Sequence, residues 1–86
     1  RLSPEMDRVL RERKSYLANA SDGEQIIPIS EIWIEGVTSQ IIVPIVTNGD
    51  CIGAVALLSK AEGEKMDSNL LNLVRLTAEI LSNHFE

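Results

Sequence analysis

SQIIVPIVTNGDCIGAVALLS, residues 39–59, decides the reading of this chain. Two apolar, β-branched runs flank Asn48-Gly49, the dipeptide that best supplies positive φ at both central positions of a type I′ turn. The stretch is a hairpin. With Thr47 and Asp50 closing the loop as a hydrogen-bonded pair, alternation sets Val46 against Cys51, Ile45 against Ile52 and Pro44 against Gly53. This register puts Ile41, Val43, Ile45, Ile52, Ala54 and Ala56 on one face. It puts Ile42, Pro44, Val46, Cys51, Gly53, Val55 and Leu57 on the other. Both faces are apolar, so each needs a cover. Pro44 lacks an amide hydrogen on the edge away from the hairpin, and a third strand on that side must end before it or bulge there.

The run Pro44-Ile45-Val46, Asn48-Gly49-Asp50, Ile52-Gly53-Ala54-Val55 and Ser59-Lys60 resembles the hairpin that closes a GAF domain. Within that group it looks most like the C-terminal domain of stage V sporulation protein T-like transcription regulators. The resemblance implies a regulatory domain that binds a small molecule between sheet and covering helices. It also implies that DNA is reached only through a separate domain of a longer chain. Measured against a whole GAF domain, the sequence lacks a first helix and two first strands, and it lacks the acid-and-lysine signature of cyclic-nucleotide binders.

Eighty-six residues make a single domain, 1–86, whose fold buries only about 60 to 65% of its unfolded surface. Hydrophobic residues are 44% and charged residues 24%, ordinary for a soluble globular protein, and no apolar run is long enough to span a bilayer. No signal peptide is visible and the expected location is cytoplasmic. Of the net charge of −5, residues 1–14 carry five bases against three acids, and the remainder three against ten. So acidic a body argues against direct nucleic-acid binding. With Cys51 as the single cysteine, an internal disulfide is excluded, and so is a multi-thiolate metal site.

Ser3-Pro4, followed by Glu5 and Asp7, reads as a helix start. Met6, Val9, Leu10, Tyr16 and Leu17 continue at helical spacing as a stripe of roughly 120° broken by Arg13, which predicts a helix running to about Asn19. Pro28 confines residues 25–29 to an edge or irregular path. Ile32-Trp33-Ile34 is the expected third strand, turning back onto residues 40–43. A polar loop follows at residues 61–65, then Asp67 or Ser68 caps a last helix. Its apolar residues span an arc of about 220°, more than one buried face requires. Leu73, Leu76 and Ile80 on one flank are the expected oligomer interface.

Chemistry-bearing constellations are scarce. His84, the sole histidine, suits a helix C-terminus. Nothing in the sequence brings Cys51 and His84 together as nucleophile and base. Glu62 and Glu64 lack the spaced oxygen ligands of a calcium loop, and the glycines are too scattered to cradle phosphate. Neither cofactor nor metal is expected, and no catalytic residue. Pro44 opposite Gly53 leaves a hollow, with Ile42, Val55 and Trp33 around it. Such a hollow serves either close helix packing or a small ligand. The expectation is an α+β, partly GAF-like domain: a short antiparallel sheet built on the Asn-Gly hairpin, with a helix near each end of the chain. It is a homo-oligomeric, non-enzymatic regulator. The alternative is a roadblock-like scaffold that assembles proteins without a ligand.

Overall fold

The computed structural model describes residues 1–32 and 34–85. Elements run in the order α1 (Pro4–Glu12), β1 (Tyr16–Asn19), β2 (Ser39–Thr47), β3 (Asp50–Ser59) and α2 (Ser68–His84). The strands form one antiparallel sheet, β1-β2-β3. Asn48 and Gly49 have φ of 53° and 83°, the two positive values that a type I′ turn demands.

The register changes after two pairs. Thr47 pairs with Asp50 and Val46 with Cys51, but Ile45 pairs with Gly53, Pro44 with Ala54 and Val43 with Val55. Ile52 is therefore the extra residue of a β-bulge, 48% exposed, where alternation alone had placed it opposite Ile45. A one-residue slip exchanges the faces of everything beyond it. Val55 packs with Ile41, Val43, Ile45, Met66, Val74 and Ala78 beneath α2, and Ala54 packs with Ile42, Met6 and Ile27 on the α1 side. The bulge gives the larger side chains to the seventeen-residue helix and the smaller ones to the nine-residue helix. Each apolar face thus has its cover.

The third strand is Tyr16–Asn19. It pairs from Asn19↔Ser39 to Tyr16↔Ile42 and stops short of Pro44, as the missing amide hydrogen requires. The helical stripe was misleading at Tyr16 and Leu17: the helix ends at Glu12, and Arg13 caps it in the left-handed region at φ 56°. Ile32 and Ile34, 81% and 47% exposed, lie outside any strand, and Trp33 lies outside the described residues. Ser30 turns the chain here, its hydroxyl accepting from the Ile32 amide and donating to the Ile32 carbonyl.

Polar side chains pin the loops to this frame. The Ser3 hydroxyl accepts from Met6 N at 3.0 Å, capping α1, and donates to the Pro28 carbonyl. Fully buried Gln40 accepts from Ile27 N at 2.6 Å and donates to Ile27 O at 3.0 Å, a side-chain copy of a strand bridge. Asn19 does the same for Met66, at 2.9 and 2.8 Å. Asp67 caps α2 by accepting from Leu70 N at 2.9 Å.

Candidate functional site

β1 ends two residues before Pro44, while α2 runs on past it. A cleft of about 560 Å³ therefore opens between α2 and the uncovered end of β2, with Val43, Pro44, Val46, Arg75, Leu76 and Glu79 among its walls. Arg75 and Glu79 lie on one helical stripe with Asn72 and Ser82, at spacings of three and four residues. Arg75 Nε donates to Ser15 Oγ at 3.2 Å across the mouth. Ser82 Oγ donates to the Val46 carbonyl at 2.5 Å and lies 3.0 Å from Thr47 Oγ1, fixing the helix to the strand. The walls thus offer apolar surface, one cation, one carboxylate and an amide. The stripe was visible in the sequence only as the polar side of the last helix; its role depends on where β1 stops.

A second, smaller hollow of about 130 Å³ lies under residues 26–30, Ile32, Ile34 and Val37, against Gln40 and Leu58. Ile27, Ile29, Ile34 and Val37 line it. Its size suits side-chain packing better than a metabolite.

The structure does not assemble the hollow drawn from the sequence. Ile42 and Pro44 lie on the α1 face; Gly53 and Val55, beyond the bulge, lie on the α2 face. Pro44 faces Ala54, and the Ile45 side chain approaches the Gly53 position to 3.8 Å. Trp33 lies outside the described residues. Of the four described residues, Pro44 alone borders the large cleft. The helix flank fares differently: Leu73, Leu76 and Ile80 are 61%, 55% and 68% exposed, so nothing described in the chain covers them.

Titratable groups are mostly on the surface. Tyr16 donates its hydroxyl to the Gln25 carbonyl at 2.5 Å, and burial, with the Glu24 carboxylate nearby, raises its pKa. Lys65 is also raised, by its hydrogen bond to the Asp22 carboxylate. Cys51 is half-buried and donates to the Gly53 carbonyl at 3.3 Å; His84 is exposed, edge-on to Phe85. Among the described residues there is no cluster of His, Cys, Asp and Glu suited to a metal ion, and no helix long and apolar enough to cross a membrane.

The chain is thus a small, acidic α+β domain with a three-stranded antiparallel sheet between two helices. Residues 1–86 match the family described as stage V sporulation protein T C-terminal, transcription factor, and the chain belongs to that family. No curated protein matches it closely enough to count as a relative.

Proposed function

We propose that the chain is a GAF-type, non-enzymatic regulatory domain of a sporulation transcription factor, one that binds a small molecule and self-associates. The family match over the whole chain carries the regulatory role. In this reading DNA is contacted by a separate domain, consistent with the net charge of −5. No cofactor takes part, and the domain works in the cytoplasm.

The cleft beside α2 supports the ligand part of the reading, since about 560 Å³ lies within the usual range of ligand sites. Arg75 and Glu79 would orient a molecule bearing both a carboxylate and an amine, and Val43, Val46 and Leu76 would hold its apolar part. Binding there would tie α2 to the end of β2, stabilising the folded state by mass action. A thermal-shift screen of amino acids, nucleotides and short carboxylic acids tests this. The expected result is a concentration-dependent rise in Tm that Arg75→Ala abolishes. A hit whose effect survives Arg75→Ala and Glu79→Ala would place the ligand elsewhere. The absence of any hit would favour the roadblock-like scaffold, which has no small-molecule linkage.

A further inference from the structure

Asn48 and Gly49 make up the whole loop between β2 and β3, and both are exposed at the tip of the hairpin. Among the described residues no hydrogen bond reaches the Asn48 side chain or the Gly49 N–H, and a Cβ built on Gly49 would meet nothing within 4 Å. A side-chain carboxamide and the amide nitrogen that follows it are thus adjacent, wet and uncrowded. The other asparagines are placed differently. Asn19 is buried, its side chain donating to Met66 O at 2.8 Å and accepting from Met66 N at 2.9 Å. Asn69, Asn72 and Asn83 lie within α2, where backbone amides are engaged at the helix cap or along its ladder, and they precede the larger side chains of Leu70, Leu73 and His84.

We propose that Asn48 is a site of spontaneous deamidation, and that the product releases the last turn of α2 from the hairpin. The inference goes beyond the proposed function and makes no use of the ligand or of self-association. In the chemical step the Gly49 nitrogen gives its proton to solvent base and attacks Asn48 Cγ. A succinimide ring closes, and the side-chain nitrogen takes up a proton and leaves as ammonia. Water then opens the ring. Attack at the side-chain carbonyl gives aspartate; attack at the main-chain carbonyl gives isoaspartate, in which the backbone runs through Cβ. Glycine favours the closure because it has no Cβ to meet the incoming ring. Closure turns the Asn48 side chain back onto the Gly49 nitrogen, a geometry outside the type I′ turn, so it follows fraying of the hairpin tip.

The consequence is set by what adjoins the loop. A two-residue turn has no room for an added main-chain atom, so isoaspartate at position 48 breaks the closing pair of Thr47 and Asp50. Thr47 Oγ1 lies 3.0 Å from Ser82 Oγ, which donates to the Val46 carbonyl at 2.5 Å. The end of α2 is therefore tied to the sheet through the two residues next to the loop. The aspartate product keeps the main-chain path but adds a carboxylate to a tip that already bears Asp50.

Ageing of the purified protein at mildly alkaline pH, beside Asn48→Gly, tests the inference. Gly-Gly keeps a type I′ turn and has no carboxamide to lose. The wild type should release ammonia and gain isoaspartate, labelled by a protein isoaspartate methyltransferase and mapped to the peptide holding residue 48. The labelled fraction should melt about 4 to 8 °C below fresh protein, as the loss of an anchoring hydrogen bond does in a domain of this size. Amides of residues 81–84 should exchange faster in that fraction. Asn48→Gly should show none of these changes. Label that maps to Asn19, Asn69, Asn72 or Asn83 instead, or that is equal in Asn48→Gly, overturns the site. Label at position 48 with unchanged Tm and unchanged exchange in α2 overturns the release of the helix.

Discussion

The side chain of Gln40 makes the two hydrogen bonds to Ile27 that a neighbouring strand would make, at 2.6 and 3.0 Å, and is wholly buried in doing so. The segment after β1 therefore lies against the sheet without being a strand of it. Ile27 enters the core with Met6 and Ile42, and residues 26–30 close over the smaller hollow with Ile32, Ile34 and Val37.

Removing this clamp should be costly. Gln40→Leu leaves the Ile27 N–H and carbonyl without partners in a buried position, at about 1 to 3 kcal/mol for each group. A loss of roughly 2 to 4 kcal/mol in urea denaturation is expected, with the m-value retained. A loss below about 0.5 kcal/mol would mean that water satisfies Ile27 instead.

Tyr16 supplies a pH dependence. Its pKa is raised in the folded state, so the neutral phenol is favoured there. The associated stability is complete below the unfolded pKa of about 10 and is lost as pH rises through the folded value. Unfolding midpoints of the wild type should fall in that alkaline window. Tyr16→Phe should flatten this part of the decline while lowering stability at neutral pH through loss of the bond to Gln25. Parallel pH profiles for the two proteins would remove the tyrosine from the account. Lys65, raised in the same direction by Asp22, falls in the same window, and Lys65→Met separates its contribution.

The exposed flank of α2 makes a separate prediction. Burying Leu73 or Ile80 contributes about 1.5 to 3 kcal/mol each before the cost of association is subtracted. Leu73→Ser with Ile80→Ser should weaken self-association by at least about tenfold, since 1.4 kcal/mol is a factor of ten. Because both residues are more than half exposed, the monomer's thermal stability should be little changed. A fall in monomer stability of more than about 2 kcal/mol would show that the flank is covered within the chain.

Local chemistry was legible in the sequence where a short motif leaves the backbone little choice. Asn48-Gly49 specified the turn, Ser3-Pro4 the start of α1, Asp67 or Ser68 the cap of α2, where Asp67 serves, and Pro44 the limit of the third strand. What the sequence hid depends on competition between distant segments. The bulge at Ile52 has no signature of its own; it is selected because it puts Val55 rather than Ala54 under α2. Tyr16 and Leu17 continue a helical period that begins at Met6, and the break lies at an arginine adopting positive φ, a conformation that usually signals Gly or Asn. Reading those two residues as helix forced Ile32-Trp33-Ile34 into the role of third strand. The site followed the register: once β3 slipped by one residue, Gly53 and Val55 left the face of Ile42 and Pro44. The cleft beside Arg75 and Glu79 could be seen only after β1 was known to begin at Tyr16, opposite Ile42.

Amide hydrogen exchange along β3 tests most directly the claim that the bulge at Ile52 sets the register of the sheet. The amides of Val55 and Leu57, which face β2, should exchange slowly, and those of Ala54 and Ala56, which face away from it, should exchange faster. Slow exchange at Ala54 and Ala56 with fast exchange at Val55 and Leu57 would contradict it.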